Sequence, residues 1–260
     1  MLSEQRKFQI LNAVKEKGSI TNSELKELLD ASESTIRRDI TELDREGKLI
    51  KVFGGAISVN ETESFEELSM QQKSVINLDE KKIIGELAAT QIKPGDCVYI
   101  DSGTSTGFLV DAVSEKEAIY VTNAVAHAKN LVLRGFKVFL IGGELKETTE
   151  AIIGETAILS LQKYHFSVGF FGTNGISLKR GFTTPDIREA TMKKVAIQCT
   201  APQRRFILAD HEKFGLISTV KFADIGDAII VTDAKPAEKY ANSLKLILPE
   251  QADEPKQQKQ

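Results

Sequence analysis

No stretch of this 260-residue chain is apolar over the ~18–20 residues that a bilayer span needs. Nor does the amino terminus, MLSEQRKFQI, hold the apolar run of a signal peptide. These two absences predict a soluble, cytoplasmic protein. Cysteine is scarce: Cys97 and Cys199 both stand among apolar neighbours and are expected to be reduced and structural. His127, His165 and His211 lie far from one another and show no metal-ligand spacing to either cysteine, so no metal and no cofactor are expected. Excess charge is missing as well. The net charge is −3, and residues 1–57 hold ten Lys and Arg against ten Asp and Glu. Any contact with a nucleic acid must therefore come from how charges are arranged.

That arrangement is visible in the first 60 residues. Ser3 can cap a helix carrying Phe8, Ile10, Leu11 and Val14, stopped by Gly18. Thr21 and Glu24 have the spacing of a capping box, with Leu25, Leu28 and Leu29 as the inward stripe behind them. Ser32 can cap a third helix, ESTIRRDITELDRE, ended by Gly47. Ile36, Ile40 and Leu43 give this helix an apolar back. Ser34, Arg38, Thr41 and Arg45 recur on its front with Arg37 and Thr35 beside them, the groups that reach phosphates and guanine edges. KLIKVFGGAISV then predicts a hairpin turning at Gly54–Gly55, with Lys48 and Lys51 available to the DNA backbone. An arginine-bearing helix front is, alone, most often a solvated face. Three capped helices and then a glycine-tipped wing make the specific pattern of a helix-turn-helix DNA reader.

Between residues 59 and 78 the pattern weakens, with four glutamates from 61 to 67, and we take this stretch as a linker with room for a helical connector at 65–74. Residues 249–260, PEQADEPKQQKQ, read as a disordered tail. The body between them, 79–248, alternates strand-like and helix-like runs. Strands are expected at 97–101, 118–122, 136–141, 166–171, 205–210, 228–232 and 244–248, and helices at 123–133, 154–163 and 185–199. Asp79 can cap a further helix carrying Ile83, Ile84, Leu87, Ala88 and Ile92. Such alternation predicts an α/β fold with a mainly parallel sheet, whose ligands bind beyond the carboxyl ends of the strands.

The loop after the first strand, Asp101-Ser102-Gly103-Thr104-Ser105-Thr106, suits a phosphate. Gly103 lets the backbone approach, amides opening the next helix point outward, and the hydroxyls add donors. Asp101 would repel a phosphate and is assigned to a sugar hydroxyl. Lys213, in the loop after the fifth strand, is a candidate counter-charge. A helix cap made of small residues explains the same DSGTST loop equally well. In TTPDIREATMKK, Thr184 can cap with Pro185 at the first helical position. Glu189 can orient a ligand or act as a base; its spacing to Lys193 favours an ordinary surface pair.

LSEQRKFQILNAVKEKGSITNSELKELLDASESTIRRDITELDREGKLIKVFGGA resembles the winged helix-turn-helix of the DeoR-type bacterial repressors. The likeness runs on through EKKIIGELAATQIKPGD, IDSGTST, VTNAVA, LIGGEL, FGTNGIS, GFTTPDIREATMKK and LADHEKFG, over about residues 3–235. It implies an amino-terminal DNA reader joined to a sensor similar to ribose-5-phosphate isomerase, which recognises a phosphorylated sugar and releases operator DNA. It also implies no enzymatic activity, a homo-oligomer (dimer or tetramer), and ligand contacts at Asp101, Gly103, Thr104, Ser105, Thr106, Asn123, Glu189 and Lys213. Two departures stand out. Ser105 takes a place where the family more often has threonine, and MQQKSVIN lacks an arginine that many relatives carry, leaving Lys73 as its substitute. SFEELSMQQKS looks most like members governing fructose or lactose uptake, which implies fructose 1-phosphate as effector and tagatose 6-phosphate next. Retained isomerase activity, or a sensor answering only to a protein partner, are the competing functions.

Overall fold

The structure is a computed structural model and describes residues 3–17, 19–52, 54–58, 62–63, 73 and 76–250. Most of the expected linker and nearly all of the expected tail lie outside the described residues, as do Gly18 and the connector at 65–74 apart from residue 73. Contacts divide the chain into two compact units, one of residues 1–64 with 215–217 and one of residues 65–214 with 218–260.

In the smaller unit the order is α1 (Ser3–Lys17), β1 (Ser19–Thr21), α2 (Asn22–Leu29), α3 (Glu33–Arg45), β2 (Leu49–Val52), β3 (Gly55–Ser58) and β4 (Thr62–Glu63). The capping box forms: Thr21 Oγ1 accepts from the Glu24 amide at 3.2 Å, and Glu24 Oε2 accepts from the Thr21 amide at 2.8 Å. Ser32 caps α3, accepting from the Thr35 amide. β2 and β3 make the expected hairpin, and β1 joins β3 as a third antiparallel strand that the sequence did not suggest. Ile10, Val14, Leu25, Leu29, Ile36, Ile40 and Leu43 form the core. Phe8 and Leu28, expected inside, are 64% and 60% exposed. They sit on the flanks of short helices whose remaining apolar residues already fill this small core.

The larger unit continues with α4 (Leu78–Ala89), β5 (Cys97–Ile100), α5 (Thr104–Ala112), β6 (Ile119–Thr122), α6 (Val125–Leu133), β7 (Lys137–Leu140), β8 (Glu144–Lys146), β9 (Ala151–Ile153) and α7 (Glu155–Leu161). Next come β10 (Val168–Gly172), β11 (Gly175–Ser177), β12 (Gly181–Thr184), α8 (Ile187–Gln198), β13 (Arg205–Leu208), β15 (Val220–Ala223), β16 (Ile229–Val231), α9 (Glu238–Ala241) and β17 (Leu246–Ile247), with β14 (Leu216–Ile217) counted in the smaller unit. Seven strands form one wholly parallel sheet in the order β17-β16-β13-β10-β5-β6-β7, and each overlaps one of the seven runs expected from the sequence.

Alternation along the strands supplies two cores. Val98, Ile100, Tyr120, Phe170, Phe206 and Leu208 pack with Ile84, Ala88, Leu109 and Leu131 on one face. Tyr99, Val121, Phe171 and Ile207 pack with Ala157, Leu161, Met192 and Ala196 on the other. A strand buried on both faces reads as a continuous apolar run, which is why these strands were legible. Two helix starts differ from expectation. Asn77 rather than Asp79 precedes α4, and Asp186 rather than Thr184 caps α8, accepting from the Arg188 and Glu189 amides. Ile83 of α4 is part-exposed, whereas Lys81 is buried with its Nζ donating to the carbonyls of Lys73 and Ile76 at 2.6 Å.

Chain order leaves β5 toward β6 and β7 on one side, and runs from β10 toward β13, β16 and β17 on the other. The junction of β5 and β10 is the topological switch point, the place where open α/β sheets bind their ligands. α4 and α5 brace it from one face. Their contact is so close that a Cβ at Gly85 would meet the Phe108 carbonyl carbon at 2.5 Å. Alanine favours a helix over glycine by ~1 kcal/mol, yet overpacking costs about 1–3 kcal/mol. Gly85→Ala is therefore expected to lower the melting temperature of the larger unit in calorimetry; an unchanged or raised value contradicts this packing.

Candidate functional site

On the smaller unit the front of α3 is built as its sequence suggests. Arg37, Arg38 and Arg45 are exposed, and so is Lys51 of β2. Arg38 and Arg45 make no hydrogen bond or ion pair among the described residues. Arg37 Nη2 is held by Glu33 Oε1 at 2.6 Å, and Lys51 Nζ reaches across from the hairpin to Thr41 Oγ1 at 3.1 Å. Thr41 in turn donates to the Arg37 carbonyl at 2.7 Å. Ser34 and Thr35 hydroxyls lie 3.0 and 2.8 Å from Ser32 Oγ, in the capping cluster. On the back of α3 Asp39 is buried and gripped by both Arg6 Nε and, at 3.1 Å, Arg6 Nη2. That pair fastens α3 to α1, and the apolar periodicity of the helix gave no sign of it.

On the larger unit the DSGTST loop leaves β5 at the switch point. Gly103 has φ +155 and ψ 162, a conformation that only glycine takes without strain. α5 begins directly after it, so the amides of Thr104, Ser105 and Thr106 have no acceptor within the helix. Thr104 and Ser105 are part-exposed, Ser102 nearly buried. The buried Thr106 hydroxyl donates to the carbonyls of Asp101 at 2.7 Å and Gly103 at 3.0 Å. Asn123, after β6, is likewise occupied within the fold. Its Oδ1 accepts from the Tyr99 hydroxyl at 3.1 Å and the Ser102 amide at 3.2 Å, while its Nδ2 donates to the Ile152 carbonyl at 3.1 Å. Thr106 and Asn123 thus brace the loop from within, while Thr104 and Ser105 keep part-exposed side chains. His127 of α6 backs this loop, and burial pushes its pKa down to about 4 against the pull of the Gly103 and Asp101 carbonyls.

Asp101 is buried and held within the fold. Its Oδ2 accepts from the Gly172 amide of β10 at 3.1 Å and from Lys193 Nζ of α8. Burial raises the Asp101 pKa, opposed by the charge and hydrogen bond of Lys193 and by the Gly172 amide. Nor is Glu189 a surface residue paired with Lys193, as the four-residue spacing suggested. It is buried, and its Oε1 accepts from Thr149 Oγ1 at 2.5 Å and Lys146 Nζ at 3.0 Å, both from the β8–β9 hairpin. Burial works to raise the Glu189 pKa, but the Lys193 charge, the Thr149 hydroxyl and Lys146 outweigh it and hold the carboxyl below its ordinary range. Lys146 also pairs with Asp186 at 3.0 Å. Lys146, Thr149 and Lys193 were missed; their only trace in the sequence is polar residues beside glycine turns and at a helix start.

Lys213 lies half-buried in the short 3-10 turn His211–Lys213 beyond β13, with no bond to the DSGTST loop among the described residues. Its turn is anchored by His211, whose amide and Nδ1 both meet the Asp233 carboxylate, at 2.9 and 2.7 Å. The hydrogen bond to Asp233 raises the His211 pKa to about 9, with burial opposing.

A winged DNA reader and a parallel α/β sensor in one chain define a DNA-binding transcription regulator. Residues 6–62 match the DeoR-like helix-turn-helix domain, and residues 76–234 match the DeoR C terminal sensor domain. The chain belongs to the DeoR family. It is 40% identical over 237 residues to an "Uncharacterized HTH-type transcriptional regulator FruR" of Bacillus subtilis, covering 90% of this chain and 93% of that one. It is 33% identical to a "Lactose phosphotransferase system repressor" of Staphylococcus aureus, covering 92% and 95%. A "Putative aga operon transcriptional repressor" of Escherichia coli O157:H7 shares 32% identity over 90% and 88%. With these relatives, the chain is a regulator rather than an enzyme. Ribose 5-phosphate isomerase A of Methanocaldococcus jannaschii superposes with a TM-score of 0.38 at 11% identity, covering 53% of this chain and 55% of that one, a likeness too loose to bear on function. No helix among the described residues is long and apolar enough to cross a membrane.

The buried pairs of the larger unit lead to two expected outcomes. Removing one partner of a buried ion pair costs about 3–5 kcal/mol, whereas replacing both by apolar or neutral groups is often tolerated. Lys193→Met is therefore expected to destabilise the larger unit by about that amount in urea unfolding. Asp101→Asn with Lys193→Met should recover most of it, and additive losses would contradict the pair. For His211, the folded pKa lies above the ordinary value, so its stabilisation is full below the unfolded pKa and is lost as pH rises through about 9. His211→Ala should lower the melting temperature at pH 6, and the difference from the parent protein should shrink at higher pH. A constant difference counts against the His211–Asp233 pair.

Proposed function

We propose that the chain represses a sugar-utilisation operon and is released from its operator by a phosphorylated sugar, fructose 1-phosphate before tagatose 6-phosphate. The observation that carries this is the DSGTST loop at the switch point: a glycine backbone leading into three helix-opening amides and the Thr104 and Ser105 hydroxyls. Such a terminus binds an anion through aligned donors and the favourable end of the helix dipole. Ser102 joins them from the loop. The sugar would extend toward Asp101, Lys193 and Glu189, whose fixed hydrogen bonds can select hydroxyl positions, with Lys213 as an outlying positive charge. The likeness to a lactose phosphotransferase system repressor of Staphylococcus aureus favours a phosphotransferase sugar as the class.

DNA contact falls to Ser34, Thr35, Arg37, Arg38, Thr41, Arg45 and Lys51. Two copies on a two-fold axis would meet half-sites ~34–36 Å apart, or a multiple of that. An effector that binds the DNA-released state better shifts the population away from the operator. Coupling of ~1–3 kcal/mol changes operator affinity about 5- to 150-fold.

The experiment is anisotropy of a labelled promoter fragment from the chain's own operon, titrated with a panel of sugar phosphates and their free sugars. Fructose 1-phosphate should weaken binding within that range and free fructose should not. Gly103→Val should bind DNA normally yet fail to respond. Insensitivity to every sugar phosphate, or a fully responsive Gly103→Val, would overturn the proposal.

A further inference from the structure

Four acidic residues lie on α3, and three of them have structural work on other elements. Asp39 is gripped by Arg6, Glu42 pairs with Lys7 at 2.7 Å, and Asp44 Oδ1 accepts from the Lys51 amide at 2.9 Å. Glu33 is different. It occupies the first turn with its side chain 57% exposed, and its described bond is to Arg37, itself 64% exposed. A carboxylate on a surface that meets DNA adds repulsion from phosphates. Its gain to the helix as an i,i+4 pair is small and equally available on a face turned away from DNA. The placement of this pair calls for a partner that wants an acceptor and a donor side by side.

We propose that Glu33 and Arg37 act as one unit reading a single cytosine–guanine base pair in the major groove. Glu33 accepts from the cytosine N4 amino group while Arg37 donates to guanine O6 and N7. These are the edge patterns that a carboxylate and a guanidinium recognise, and in one base pair they lie next to each other. The bonding capacity is sufficient. Glu33 holds Arg37 through Oε1 and Arg37 bonds through Nη2, which leaves the second carboxylate oxygen and most of the guanidinium fork for the bases. The pair also borders a notch of about 290 Å³ between α3 and the hairpin, shared with Ser23, Lys51 and Gly54, so a base edge has room beside it. Because the two side chains are already locked together, less freedom is lost on binding. This rests on α3 being the DNA reader and adds Glu33 to its recognition residues.

The test selects binding sites from a random double-stranded library with the full chain, then with Glu33→Ala, Arg37→Ala and the double variant. Both single variants should relax preference at the same base pair, each losing about 5- to 150-fold discrimination there. The double variant should be little worse than Arg37→Ala alone, as expected for coupled neighbours. The proposal fails if Glu33→Ala leaves the preference at every position unchanged and merely strengthens binding to all sequences. It also fails if the two variants alter different positions. Should the parent chain select no sequence at all, the DNA-reading assignment of α3 fails first, and that outcome is separate from both.

Discussion

The ion pair between Asp101 and Lys193 is the contact on which the sensor's arrangement depends. It joins the end of β5 to α8 across the switch point, while the Gly172 amide of β10 meets the same carboxylate oxygen. Through α8 it also fixes Glu189, and through Glu189 the Lys146 and Thr149 side chains of the β8–β9 hairpin. Buried ion pairs contribute little net stability because desolvation offsets much of their attraction. A chain of them at the switch point is therefore better explained by what it positions than by what it stabilises. It presents charged groups in fixed places, one loop away from amides that can hold an anion.

The smaller unit meets a related constraint differently. Its acidic and basic residues balance in number, so nothing in the bulk composition marks a DNA reader. The structure removes the balance locally. Asp39 and Glu42 are drawn toward Arg6 and Lys7 of α1, and Asp44 toward the Lys51 amide, so Arg38 and Arg45 are left projecting from α3. The acids hold the small core together and leave the arginines exposed. Neutral composition and a locally positive surface are compatible once the pairing is known.

Much of this was legible in the sequence, and the failures have a common cause. The five central parallel strands were readable because burial on both faces makes each an apolar run, and the edge strands β7 and β17 because they too are largely apolar, though more exposed; the caps of α2 and α3 were readable because Thr21, Glu24 and Ser32 act locally. The antiparallel additions β8, β9, β11, β12 and β15 were not, since they are only three or four residues long and all but β9 are broken by polar or glycine residues. Around the DSGTST loop, the sequence located the residues but not the bonds that hold them. Periodicity says where Glu189 and Lys193 sit along a helix, not which elements cover them, so a buried network looked like a surface pair. The internal bonds of Thr106 and Asn123 were equally hidden, because a hydroxyl or amide that shapes a loop is the same residue type as one that binds from it.

The central claim is that the opening turn of α5 grips the phosphate of a sugar. Backbone amide NMR of the full chain, titrated with fructose 1-phosphate and separately with fructose, tests it most directly. The account predicts saturable shifts centred on the amides of Gly103, Thr104 and Ser105 with the phosphorylated sugar, and none there with fructose. Saturable binding whose shifts leave those three amides untouched would contradict it.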